Sequence, residues 1–149
     1  MSFLNSLNIA GSGMTAQQLR LDVISQNITN ASTTRTEDGG AYRRKVVVME
    51  SQGSFQAALA RARRESEGFY QANGGGVAVT EIREDPSDLK LVYDPSHPDA
   101  NEAGYVELPN VDMVKEMTDA MAASQAFNAN VTVFNTLKSV IAKGLEIGK

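Results

Sequence analysis

The residues best equipped for chemistry are gathered in one short stretch, Asp94-Pro95-Ser96-His97-Pro98-Asp99, which sets the only histidine of the chain between two carboxylates. Imidazole and carboxylate are common proton carriers and metal ligands, so an acid–base pair or a metal site is chemically conceivable there. Two prolines and a turn account for the same residues more economically, and no nucleophile, second histidine or spaced ligand set supports a site. Gly74-Gly75-Gly76 has the glycines of a phosphate cradle, but no Lys-Ser or Lys-Thr follows and no strong helix begins after it. It reads as a flexible joint before a strand. Arg43-Arg44-Lys45 and the group Arg61, Arg63, Arg64 have the charge to hold an acidic ligand, yet in a chain of net charge -4 a solvated face or contacts to an acidic neighbour is the better reading. No catalytic, metal-binding or cofactor-binding residue is expected.

Composition narrows the classes further. The acidic balance argues against attraction to phosphate backbones or anionic lipid, so nucleic acid is not expected as a partner. With no cysteine there is no disulfide framework, thiolate nucleophile or sulfur-ligated metal, and the chain is free of disulfide errors if it travels unfolded. No basic stretch leads into a continuous apolar core at the N-terminus, where Asn5, Asn8, Gly11, Ser12 and Gly13 interrupt. No apolar run is long enough to span a bilayer. These signals alone describe a soluble, cytoplasmic chain of one domain, or one long helical pair carrying a smaller module.

The elements that position these residues are set by the two ends, which share one apolar rhythm. Phe3, Leu7, Ala10, Met14, Gln17, Leu21, Ile24 and Ile28 alternate four- and three-residue steps, and Met113, Met117, Ala120, Ser124, Phe127, Val131 and Phe134 do the same. Both read as coiled-coil seams, to be buried against each other or against neighbouring subunits. The first helix is expected from a cap at about Ser2 to about Asn30, weakened at Gly11 and Gly13, where small residues also let another backbone come close. The last is expected from near Asn110, with Pro109 outside and Asp112 in the first turn, to the Lys143-Gly144 region. There Leu137, Ile141 and Leu145 prolong the apolar face, while Lys138, Lys143 and Lys149 suit the negative end of the dipole. Met113, Met117 and Met121 are read as filling of the seam rather than as a promiscuous groove.

Between the ends the character changes to short strands. Tyr42 to Met49, Val77 to Ile82, Leu89 to Tyr93 and Tyr105 to Leu108 have strand composition, separated by Asp85-Pro86, Asp94-Pro95 and His97-Pro98 turns. Phe55 to Arg64 is a short helix or a loop. The expected fold is mainly α with a small β-rich module. Residues 1–34 and 108–149 form long N- and C-terminal helices pairing as a coiled coil, with short strands and loops over 35–107.

Ala10-Gly11-Ser12-Gly13-Met14 and Ser25-Gln26-Asn27-Ile28-Thr29-Asn30-Ala31-Ser32-Thr33-Thr34 resemble the N-terminal signature of bacterial flagellar rod, hook and filament-cap axial proteins, most closely the rod proteins. Pro109-Asn110-Val111-Asp112-Met113-Val114-Lys115-Glu116-Met117 and Ala126-Phe127-Asn128-Ala129-Asn130-Val131 resemble the C-terminal signature of the same family. The motif positions are Ser25, Asn27, Asn30, Thr33, Asn110, Asp112, Glu116 and Asn130. The intervening Thr34-Arg35-Thr36, Tyr42 to Lys45, Glu84-Asp85-Pro86 and Leu91 to Asn101 agree with the proximal rod subunit in order and spacing. Gln125, Phe127 and Asn128 depart from the arginine, hydroxylated aromatic and acidic residue that relatives often carry, and leave an apolar packing role.

The resemblance implies a non-enzymatic subunit that polymerises helically through its terminal helices into the basal-body rod, a drive shaft crossing the periplasm. It implies no cofactor, and as partners the chain itself, other rod proteins, basal-body export-gate and adaptor components, and the flagellar type III export apparatus. That route uses no cleaved signal peptide and replaces the cytoplasmic reading. Leu7, Met14, Leu21, Ile24, Ile28, Met113, Met117, Phe127, Val131, Phe134 and Ile141 are the expected subunit-interface residues. The alternative is a soluble coiled-coil adaptor that holds a ligand on the Asp94 to Asn101 loop.

Overall fold

A computed structural model describes residues 3–37, 39–53 and 75–147. The expectations for Ser2, for Phe55 to Arg64 with its arginines, for Gly74 and for Lys149 lie outside the described residues. The described elements are α1 (Phe3–Thr29), β1 (Lys45–Ser51), β2 (Val77–Glu84), β3 (Lys90–Tyr93), β4 (Tyr105–Leu108) and α2 (Met113–Ile147). The architecture is mainly helical with short antiparallel strands.

Local chemistry explains the boundaries. At the end of α1 the asparagine-rich cluster takes over the backbone. Asn30 Nδ2 donates to Gln26 O at 2.9 Å, and Thr33 donates through Oγ1 to Asn30 Oδ1 and through its amide to Asn30 O. Gly39 and Gly40, at φ of 84° and 91°, then let the chain double back, so that the Tyr42 amide reaches Thr33 O at 3.1 Å. Strand β1 begins at Lys45, and the Arg44 amide just before it is spent on Asn110 Oδ1 at 2.8 Å. The start of α2 also corrects the sequence reading. Asp112 is the cap rather than a first-turn residue, accepting the Val114 amide on Oδ1 at 3.0 Å, and the helix begins at Met113.

Strands β1 and β2 pair with each other, and so do β3 and β4, whose register sets Tyr93 opposite Tyr105. The chain divides into two compact units, one of Met1–Gln18, Met49–Thr80 and Ser124–Lys149, the other of Leu19–Val48 and Glu81–Ala123. In the first, Ser12 Oγ accepts the Val77 amide at 3.0 Å and ties α1 to the start of β2. The second unit holds the most enclosed side chains, Glu116, Val106, Asn27 and Pro109.

Burial along α2 departs from the expected seam. Positions 116, 120, 123, 127, 130, 134, 137 and 141 are buried or half-buried, again in alternating four- and three-residue steps. One rail, Ala120, Phe127 and Phe134, is the expected one, and Val131, also expected in the seam, is half-buried beside it. The other is Glu116, Ala123, Asn130 and Leu137, in place of Met113, Met117 and Ser124, which are exposed. Polar and small residues on that rail do not register in an apolar pattern, whereas the methionines do. On α1, Ala10, Ala16, Val23, Ile24 and Asn27 are the buried positions, and Leu7, Met14, Leu21 and Ile28 are half-buried. Gln17 Oε1, on the same helix, is buried without a hydrogen-bond partner.

The two glycines of α1 differ. A Cβ on Gly13 would lie 2.8 Å from Asn130 Nδ2, while one on Gly11 would meet nothing within 4 Å. The close approach at Gly13 is thus to a side chain, and Gly11 weakens the helix for no packing return. Gly11→Ala is expected to stabilise the chain by about 0.5–1 kcal/mol. Gly13→Val, which drives a branched side chain into Asn130, is expected to lower stability, and urea unfolding of both variants checks the contrast.

Candidate functional site

Among the motif residues, Asn27 and Glu116 form the centre of a buried polar junction in the second unit. Asn27 is 1% exposed and Glu116 is fully enclosed. Asn27 reaches the interior from the last turns of α1, and Glu116 from the first turn of α2, where its carboxylate also suits the positive end of the helix. Asn27 Nδ2 donates to Glu116 Oε2 at 3.0 Å and to Lys45 O at 2.9 Å. Its Oδ1 accepts from Tyr42 Oη and from the Lys45 amide, both at 2.9 Å. The side-chain amide therefore meets β1 as another strand would.

Arg44 supplies the charge that Glu116 needs. Its Nε donates to Glu116 Oε1 at 2.6 Å, Nη1 lies 3.4 Å from Asp85 Oδ2, and Nη2 lies 3.5 Å from Asp119 Oδ2. Burial pulls the guanidinium pKa down, but hydrogen bonding to Glu116 and its charge, followed by those of Asp85, outweigh the burial and hold it above the ordinary value. Asp85 is held below the usual carboxylate range, first by the Ser87 backbone amide, then by the Ser87 side chain and Arg44. Tyr42 is pushed above its ordinary 10.0, first by burial, then by the charges of Glu116 and Glu84. Asn110 closes the junction, accepting the Arg44 amide and donating to Asp85 O at 3.2 Å and Ser87 Oγ at 2.9 Å. Arg20 adds an exposed pair to Asp119 at 3.3 Å.

Of the two readings of the basic run, Arg44 departs from the solvated face and makes contacts to acidic neighbours, which are carboxylates of its own chain. Alternation about the start of β1 turns Arg44 inward to carboxylates of its own chain, while Arg43 donates to Ser87 O at 3.3 Å. Of the other motif positions, Asn30 and Thr33 terminate α1, Asp112 caps α2, Asn130 packs on Gly13, and Ser25 is exposed. Tyr42, Asp85 and Asp119 are site residues that the sequence alone does not mark as such: Tyr42 reads there as the start of a strand and Asp85 as part of a turn. The available signal was a carboxylate, Glu116, inside an otherwise apolar and small series.

The loop holding His97 is organised by its own hydrogen bonds. His97 Nδ1 accepts the Asp99 amide at 3.1 Å, and Asp94 Oδ1 accepts the Ser96 hydroxyl at 2.6 Å. The Ser96 side chain, then its amide, holds the Asp94 carboxyl below its usual value. Thr34 donates to Asp99 Oδ2 at 2.8 Å, beside an open cleft of about 450 Å³ lined by Arg35, Gly40, Asn101, Tyr105 and Glu107. Among the described residues no three His, Cys, Asp or Glu side chains are placed to hold a metal, and no helix is long and apolar enough to cross a membrane.

The junction joins the two stretches that comparison with known proteins picks out. Residues 7–35 match the family described as flagella basal body rod protein, and residues 102–147 match the flagellar basal body rod FlgEFG protein C-terminal family. Over its full length the chain is 43% identical to the whole of the flagellar basal-body rod protein FlgC of Bacillus subtilis (strain 168). It is 43% identical to the protein of that name from Borreliella burgdorferi, with 99% of this chain and 98% of the relative covered. The corresponding figure for Escherichia coli O6:H1 is 41%, over the whole of both chains. The chain belongs to the FlgC family of flagellar basal-body rod proteins.

As a FlgC-family member it is a structural subunit of the basal-body rod. Asn27 lies in the stretch that matches the flagella basal body rod protein family and Glu116 in the stretch that matches the FlgEFG C-terminal family, while Tyr42, Arg44 and Lys45 come from between them. Removing one partner of a buried ion pair costs about 3–5 kcal/mol, against at most about 1 kcal/mol for an exposed pair. Glu116→Ala is therefore expected to destabilise the chain by several times as much as Arg20→Ala, read from urea midpoints.

The raised pKa of Tyr42 means that the neutral phenol is the stabilising form. Its contribution is complete below pH 10.0 and is lost as pH rises through the higher folded value. Subtracting the 295 nm titration of Tyr42→Phe from that of the wild-type chain is expected to isolate a phenol that ionises above that pH. A difference curve centred at or below the ordinary tyrosine value would contradict the assignment.

Proposed function

We propose that this FlgC-family subunit polymerises helically in the proximal rod, with its terminal helices packing against those of neighbouring subunits. One observation carries the reading. Met113, Val114, Met117 and Met121 expose 42%, 74%, 53% and 61% of their surfaces on the first turns of α2. An apolar stripe of that kind on a rod-family helix is the feature expected of a surface covered by assembly. With 35 residues, α2 is about 50 Å long, far beyond the radius of gyration of about 15 Å for a globule of this chain length.

In this reading Leu7, Met14, Leu21, Ile28, Met113, Met117, Phe127, Val131, Phe134 and Ile141 meet neighbours, with Ile24 supporting them from inside the chain. Residues 1–34 and 108–149 form the rod core, the helices pair as a coiled coil, and 35–107 faces outward. The role is mechanical rather than enzymatic. Its partners are copies of itself, other rod proteins, and export-gate and adaptor components of the basal body. The rod crosses the periplasm, and the subunit reaches it unfolded through the flagellar type III apparatus without a cleaved signal peptide. The absence of cysteine supports that route.

Met117→Asp separates folding from assembly, because the side chain is exposed in the single chain. The purified variant is expected to keep its urea midpoint within about 0.5 kcal/mol of wild type, as for surface substitutions generally. A deletion strain complemented with it is expected to lose swimming, since the neighbour would have to desolvate a charge. Normal swimming at normal expression would remove the methionine stripe from the interface.

A further inference from the structure

We propose that the segment 42–45 is a latch that makes pairing of α1 with α2 at the polar junction conditional on its own docking. The two helices meet there through Asn27 and Glu116, both enclosed and joined directly by the Asn27 Nδ2 to Glu116 Oε2 bond, with the partly exposed Arg20–Asp119 pair as a further direct link nearer the surface. Everything else that these side chains require comes from the segment. Tyr42 Oη and the Lys45 amide satisfy Asn27 Oδ1, Lys45 O takes the other Asn27 donor, and Arg44 Nε meets Glu116 Oε1. Helices paired without it would enclose a carboxylate with one neutral donor and an amide oxygen with none.

Such an uncompensated buried charge shifts an equilibrium by about 100- to 5,000-fold. A hydrophobic contact between the helices would carry no such condition, and would also hold helices of two different chains together. The polar identity of the junction therefore acts against premature or mismatched helix pairing, as a single buried polar residue does in specifying coiled-coil register. For a chain whose terminal helices expose apolar faces, this withholds pairing at the junction until the middle segment has docked. The inference is independent of which outer faces meet neighbouring subunits.

Amide hydrogen exchange on the full chain, followed through increasing sub-denaturing urea, tests the latch. Amides of 23–28, 45–48 and 116–120 are expected to merge into a single opening isotherm. Helix amides that stay protected after 45–48 has opened would overturn the proposal. A double-mutant comparison gives the second reading. Arg44→Gln is expected to accelerate exchange in both helix segments about 100-fold in the wild-type background. In an Asn27→Leu/Glu116→Leu background, where nothing polar remains to be satisfied, the same change is expected to accelerate it less than about fivefold. Equal acceleration in the two backgrounds would mean that Arg44 contributes packing only, and would overturn the latch. If the double leucine chain does not fold, the wild-type isotherm decides.

Discussion

Glu116 places a full negative charge where no water reaches it, and the organisation of the second unit follows from neutralising it. Removing an ion from water costs several kcal/mol, recovered only when an opposite charge and further hydrogen bonds are in place. Arg44 brings that charge from the start of β1, and Asn27 brings a hydrogen bond from α1. Three stretches far apart in sequence are thereby required at one point. Hydrophobic contacts alone are non-directional and would leave register and partner free.

The same guanidinium extends outward to Asp85 and Asp119, and these contacts are of a different rank. Partly exposed pairs gain little because water screens them and long side chains lose freedom. Arg20 with Asp119 belongs with them. The Arg44–Glu116 contact, whose carboxylate is fully enclosed, is the one whose loss leaves a charge stranded, so the hierarchy within the cluster is set by burial rather than by the number of ion pairs. Asp85 is ordered mainly by its own turn, through the Ser87 amide, and offers Arg44 a preformed acceptor.

The inward-turned and the most exposed apolar residues at the start of α2 lie on different sides of the helix. The side of α2 carrying Glu116, Ala123 and Asn130 is turned inward, and small or hydrogen-bonding side chains there admit close approach, as Gly13 does to Asn130. The side carrying Met113, Met117 and Met121 is free, with flexible, polarisable side chains suited to packing on a neighbour. A rod subunit benefits from this separation, since changes on one side need not disturb the other.

Much was legible without the fold. The apolar rhythm located both long helices, the Asn30 to Thr34 cluster marked the end of α1, and β-branched runs between turn residues located the strands, β4 to the residue. Those features are local: periodicity, propensity and capping act within a few residues, so the chain states them directly. The inner rail of α2, the inward turn of Arg44 and the enclosure of Asn27 were not legible. Each depends on partners distant in sequence, such as Glu116 for Asn27, 89 residues away, and Lys45 for Asn27, 18 residues away. A carboxylate or an amide in sequence carries the same pattern whether it faces water or a guanidinium. Only tertiary contact removes the water, and with it decides that Glu116 and Asn27 are interior residues rather than surface ones.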